Sequence, residues 1–105
     1  MGKAENYVEH YLRDRVKRAG GVCWKFTSAT SGVPDRIIVL NGHTVFVETK
    51  APGRTLDPLQ RVRRDEILAS GGDARKIDNR DDVDLLIEEL TLGRDLTSLE
   101  RKAAA

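Results

Sequence analysis

The sequence predicts an α/β fold, a small mixed β-sheet flanked by helices, and three observations carry that prediction. Arg36 to Leu40 (RIIVL) and Thr44 to Thr49 (TVFVET) are β-favouring runs separated by His43 and by Asn41-Gly42, the favoured pair for a two-residue type I′ hairpin. Ala4, Tyr7/Val8, Tyr11/Leu12, Val16 and Ala19 recur at helical spacing. Strand-like and helix-like segments follow in the order helix, three strands, helix, strand, helix, which suits a sandwich around one mixed sheet.

The remaining elements are read from the same signals. Helical spacing over 4–19 stops at Gly20-Gly21, and Val22-Cys23-Trp24-Lys25-Phe26 reads as a short strand. Thr27 to Val33 (TSATSGV) is a polar small-residue loop closed by Pro34, and Ala51 to Pro58 is a second loop with two prolines and a glycine. Leu59 to Ser70 predicts a helix whose sparse apolar side is Leu59, Val62, Ile67 and Leu68, ended by Gly71-Gly72. Ala74 to Ile77 suits a last short strand, and Asp81 to Leu90 an amphipathic helix through Val83, Leu86, Ile87 and Leu90. The length of 105 residues fits one domain, taken as 1–92, with 93–105 as a tail whose conformation the pattern leaves open.

Composition narrows the function classes. Hydrophobic residues are 39% and charged residues 33% of the chain, so it is neither a disordered polyelectrolyte nor a membrane protein. No apolar run reaches the roughly 20 residues of a membrane span, and the first residues lack a secretory apolar core. A cytoplasmic protein is expected, in the host cell if the source is viral, and the single Cys23 fits that as a small buried hydrophobe. The net charge of +1 is unevenly spread. Residues 1–76 hold 14 Lys/Arg against 9 Asp/Glu, and residues 77–105 hold 4 against 8. The basic surplus permits a phosphate-binding face on the first part of the chain.

The hairpin register brings chemistry together. With Asn41 and Gly42 as the turn, Leu40 opposes His43, Ile38 opposes Val45, Arg36 opposes Val47, and Asp35 opposes Glu48. Opposed residues share a sheet face, and alternation puts Lys50 on that face with them. Two opposed carboxylates repel and need a cation. Lys50 provides one charge, and a divalent ion with oxygen ligands would provide more. Such an ion can polarise a phosphoryl oxygen and activate water, while an ammonium can neutralise developing charge. Phe46 and Ile37 share the face, so these charges do not stand on a wholly solvated stripe.

Gly32-Val33-Pro34-Asp35-Arg36, then Phe46-Val47-Glu48-Thr49-Lys50-Ala51-Pro52-Gly53, then Leu59-Gln60, resembles the virus-type replication-repair nuclease domain (VRR-NUC) of the PD-(D/E)xK nucleases. The resemblance runs from about Glu5 to Leu90. It implies a restriction-endonuclease-like core, Mg²⁺ or Mn²⁺ dependence and phosphodiester hydrolysis. It also implies that Asp35, Glu48 and the backbone carbonyl of Thr49 bind metal, that Lys50 is the catalytic lysine, and that Gln60 lies near the site. The family carries an acidic residue on the first helix. Glu5 is favoured, being nearer the edge of the apolar stripe, with Glu9 close behind, and Glu5 is a further candidate metal ligand.

Stand-alone members of that family resemble Holliday junction resolvases, so the resemblance points to a homodimeric endonuclease acting on branched DNA. A flap or restriction-type nuclease and a non-catalytic DNA-binding module on the same fold are the alternatives. Lys25, Ser28, Ser31, Arg36, Arg54, Arg61 and Arg64 are candidate phosphate contacts, although Arg36 alternates away from Asp35. Other chemistries find no support. His10 and His43 lack zinc-ligand spacing, and neither a phosphate-loop signature nor a Gly-x-Ser-x-Gly elbow occurs.

Overall fold

The computed structural model describes residues 3–25 and 27–104, with side chains as far as residue 92. Its elements are α1 (Lys3–Arg18), β1 (Val22–Lys25), β2 (Arg36–Leu40), β3 (His43–Thr49), α2 (Pro58–Ala69), β4 (Ala74–Ile77) and α3 (Arg80–Ala104). The strands form one sheet in the order β1-β2-β3-β4; the first three are antiparallel and β4 runs parallel to β3. A mixed sheet with helices around it is the predicted fold class.

The Asn41-Gly42 turn forms as the dipeptide dictates. Both residues have positive φ, 51° and 81°, the combination a type I′ turn requires and one that asparagine and glycine adopt with little steric cost. It sets the β2–β3 register as predicted, from Leu40 opposite His43 to Arg36 opposite Val47. Asn41 Nδ2 also donates to the Leu90 carbonyl at 3.0 Å, tying the turn to α3.

The two sheet faces differ sharply. Ile38, Leu40, Val45, Val47 and Ile77 point to one side and are buried against Val8, Leu12 and Val16 of α1 and Val83, Leu86, Ile87 and Leu90 of α3. The four-residue spacing along α1 gives it one continuous apolar stripe, and truncating the fully buried Leu12 to Ala would cost about 2–5 kcal/mol. The opposite face is more open. No residue of α2 is fully buried, and Leu59, Val62 and Leu68 stay 43–48% exposed. Val22, Trp24 and Val39 lie on this face beyond α2 and are also exposed.

Helix ends follow local chemistry. Asn79 caps α3, its Oδ1 accepting from the Asp82 N–H at 2.8 Å. The expected last helix over 81–90 starts one residue earlier and, as backbone, continues to Ala104. The apolar period that defines 81–90 stops there, but Leu, Arg, Glu and Ala after it are good helix formers, so the helix does not have to stop. Strand β1 ends at Lys25; Phe26, the last residue of the predicted strand, lies outside the described residues.

Candidate functional site

The site forms where β2 begins and β3 ends. Pro34 is buried and leads the chain into Asp35, a bend residue immediately before β2. Gly32, two residues earlier, has φ +87°, and a Cβ there would come within 2.8 Å of Leu59 and 2.9 Å of its carbonyl. The Gly-Val-Pro-Asp segment therefore has to pack closely on α2, and only glycine permits both the turn and the approach. The Arg63 guanidinium donates to the Ser31 carbonyl at 2.9 Å and holds the same loop.

Asp35, Glu48 and Lys50 meet on the open face of the sheet. The Asp35 backbone N–H donates to the Glu48 carboxylate. Burial first, and then the Asp35 carboxylate, push the Glu48 carboxyl up to about 7; Lys50 opposes this and Glu5 adds to it. Asp35 Oδ1 is buried without a hydrogen-bond partner. A buried oxygen left unpaired costs about 1–3 kcal/mol. Two adjacent carboxylates, one with an orphaned oxygen and the other driven towards protonation, fit a divalent cation. Among the described residues no cluster of three or more His, Cys, Asp and Glu side chains is arranged to hold a metal. An ion here would take Asp35 and Glu48 and fill its shell with carbonyl oxygen and water, as Mg²⁺ commonly does.

The first helix separates its two acidic candidates. Glu9 faces the helix-covered side of the sheet and is 8% exposed. There it accepts from Arg36, whose Nε lies 2.7 Å from Glu9 Oε1 and whose Nη2 bonds the same oxygen. Glu9 is thus removed from the site, and Arg36, 7% exposed, is removed from the candidate DNA contacts. Both corrections have one cause. Arg36 alternates to the face opposite Asp35, where a lone charge would be intolerable without a partner. Glu5, one helical turn nearer the open end of the sheet, is the residue whose charge reaches Glu48.

Lys50 is held from two sides. Its backbone N–H donates to the Ile77 carbonyl at 2.9 Å, and its Nζ lies 3.8 Å from Asp57 Oδ2. Asp57 is the N-cap of α2, and Gln60 Oε1 accepts from the Asp57 N–H at 2.9 Å. Gln60 therefore acts on the site as a helix cap that fixes the carboxylate beside Lys50. Thr49 between the two charged residues turns its side chain to the covered face, at 3% exposure.

Two neighbours escape a reading of the sequence. Lys76 stands opposite Glu48 in the parallel β3–β4 register, and its Nζ lies 3.5 Å from Asp78 Oδ2 and 3.4 Å from the Arg54 carbonyl. Asp78 Oδ2 also accepts from the Gly53 N–H at 2.9 Å, and that bond draws its carboxyl below the usual range. The loop after Lys50 is thereby pinned to the end of β4. Parallel pairing across a helix leaves no turn signal that could have placed them there.

Of the other candidate phosphate contacts, Lys25, Ser31, Arg54 and Arg61 are exposed, and Ser28 and Arg64 are half-buried. Ser28 Oγ accepts from the Thr30 N–H, and Arg64 pairs with the neighbouring Asp65. Only Arg36 of that set points inward.

No protein-family profile matches the sequence. Over 79 residues the chain is 38% identical to a protein named "Putative nuclease p44" from Acyrthosiphon pisum secondary endosymbiont phage 1, spanning 73% of this chain and 85% of that one. A solved structure described as a VRR_NUC domain is similar with a TM-score of 0.77 and 29% identity, over 83% of this chain and 97% of its own.

Proposed function

The chain belongs to the VRR-NUC family of nucleases, and on that premise we propose that it is a divalent-metal-dependent DNA endonuclease working through Asp35, Glu48 and Lys50. The observation that carries the proposal is the orphaned Asp35 Oδ1 beside a Glu48 carboxyl raised to about 7. Asp35, Glu48 and the Thr49 carbonyl would hold the ion, with Glu5 contributing charge from α1. A bound Mg²⁺ or Mn²⁺ would polarise the scissile phosphate and lower the pKa of a bound water.

The side chains supply the rest. Lys50 faces the phosphate as a compact ammonium and neutralises charge that develops on the phosphoryl oxygens in the transition state. Asp57 restrains its reach, and Gln60 restrains Asp57. Lys25, Ser28, Ser31, Arg54, Arg61 and Arg64 guide backbone phosphates towards the carboxylates. Such contacts read position and shape rather than base sequence.

The substrate we propose is branched DNA, with a four-way junction cut by a homodimer. A two-fold assembly suits symmetrical incisions. Leu85 and Leu92, 63% and 55% exposed and seven residues apart on α3, support a helix-to-helix contact between copies. Cleavage of a junction, a nicked flap and plain duplex side by side, with sedimentation of the same protein, tests this. A dimer that cuts the junction in paired positions supports it; a monomer that prefers flap or duplex removes it.

A further inference from the structure

A groove of about 350 Å³ runs along the free edge of the sheet, between α1 and β1. Its lining includes Arg13, Asp14 and Lys17 on α1, and Cys23 and Trp24 on β1. Arg13 and Lys17 are four residues apart, so they project from one side of the helix, and both are exposed. Asp14 is the one acidic residue between them. Trp24 is 65% exposed, an unusual position for so large an apolar surface. Cys23 faces the core, which turns Trp24 onto the open face shared with Asp35 and Glu48, so the groove wraps around the free edge of the sheet from α1 on the covered face.

The register fixes how near the two features are. Trp24 pairs with Ile37, two residues along β2 from Asp35. With the usual strand rise and spacing, the Trp24 and Asp35 backbones are about 8 Å apart. That separation lets neighbouring nucleotides of one strand reach both features. Aromatic faces that stack bases, beside cations that follow the backbone, are the elements of single-strand recognition.

We infer that this groove binds an unpaired strand of the DNA substrate, with a base stacked on Trp24 and its flanking phosphates on Arg13 and Lys17. The inference rests on the nuclease reading for the identity of the ligand. It specifies a substrate with single-stranded character next to the cut, such as an opened branch point. Stacking a base there holds the departing strand and orients the neighbouring phosphate towards Asp35 and Glu48.

Trp24 is the chain's only tryptophan, so its emission reports on the groove directly. The full chain is titrated, in EDTA, with oligothymidylate of about 10 nucleotides and with a duplex of equal length. The single strand quenches Trp24 emission and the duplex does not. Trp24→Ala, followed by anisotropy of a labelled oligonucleotide, weakens single-strand binding about tenfold, and Trp24→Phe recovers part of it. Arg13→Ala or Lys17→Ala each lowers the salt slope of binding by about 0.7. Emission unmoved by bound single strand, or moved equally by duplex, overturns the inference. So does emission that changes with protein concentration alone, which would mean that a second copy covers Trp24. Cutting is assayed separately with metal. A protein that cuts DNA while Trp24 stays silent contradicts this inference only, whereas quenching without any cutting contradicts the nuclease reading only.

Discussion

Asp35 and Glu48 act on each other in opposite senses: the Asp35 backbone N–H donates to the Glu48 carboxylate, while the Asp35 carboxylate repels it. Burial, and then this repulsion, outweigh the hydrogen bond, and the Glu48 carboxyl rises to about 7. A site that makes one of its own carboxylates uncomfortable is less stable than it could be, and a cation relieves the strain.

The first prediction concerns the metal-free protein. Glu48 holds its proton more tightly folded than unfolded, from an ordinary 4.5 to about 7. Folding stability therefore falls as pH rises through that window, and the loss is complete above it. Glu48→Gln removes the cost. After discounting for solvent around a half-buried group, the variant gains roughly 1–2 kcal/mol at pH 8 and almost nothing at pH 4. Thermal melts in EDTA at the two pH values measure it; a lower Tm for Glu48→Gln at pH 8 contradicts the account. Millimolar Mg²⁺ or Mn²⁺ raises the Tm of the native chain more than that of the variant.

The Glu9–Arg36 pair makes the second. Both residues are nearly buried and share one set of hydrogen bonds. Glu9→Gln or Arg36→Met alone leaves one charge uncompensated and costs about 3–5 kcal/mol, whereas Glu9→Leu with Arg36→Met together recovers most of it. Denaturant titration gives the values. A single substitution that changes stability by less than about 0.5 kcal/mol but weakens DNA binding would return Arg36 to the phosphate contacts.

That pair also shows what the amino-acid sequence could and could not reveal. The Asn41-Gly42 turn sets a local register, so the approach of Asp35 to Glu48 and Lys50 was legible from spacing alone. Alternation likewise turned Arg36 away from Asp35. What it met on the covered face depended on how α1 lies across the sheet, and helical angles left Glu5 and Glu9 nearly equivalent. Gln60 could be read as a site residue or a cap, because a side chain opening a helix can bond to its own backbone, and here it does. Lys76 and Asp78 reach the site only through parallel pairing, which no short-range pattern encodes. The extension of α3 past Leu90 had a simpler source: apolar periodity marks where a helix is covered, not where it ends.

Gln60 supplies a third prediction. As a cap it should tolerate replacement by another acceptor of the same length. Gln60→Glu keeps both melting temperature and cutting, while Gln60→Ala costs about 0.5–1 kcal/mol and slows cutting by loosening Asp57 beside Lys50. Loss of cutting in Gln60→Glu at unchanged Tm would show that Gln60 touches the metal or the substrate.

The fourth lies in the loop behind Lys50. The Gly53 N–H bond holds the Asp78 carboxyl below its ordinary 3.8. This contact stabilises the fold above that value and is lost as acid titrates the group through its lowered folded value. Asp78→Ala removes the bond, so Gly53 amide exchange accelerates at neutral pH and the acid limb of the stability profile flattens. Unchanged Gly53 protection in the variant would show that the loop is held by something else.

The most direct measurement is cleavage of a labelled four-way junction by the native chain, Lys50→Ala and Glu48→Gln, each in Mg²⁺, Mn²⁺ or EDTA. The native chain is expected to make metal-dependent paired nicks, either variant to cut at least about 100-fold more slowly, and junction binding to survive both substitutions. Undiminished cutting by the variants, or a folded native chain that cuts neither junction, flap nor duplex with either metal, would contradict it.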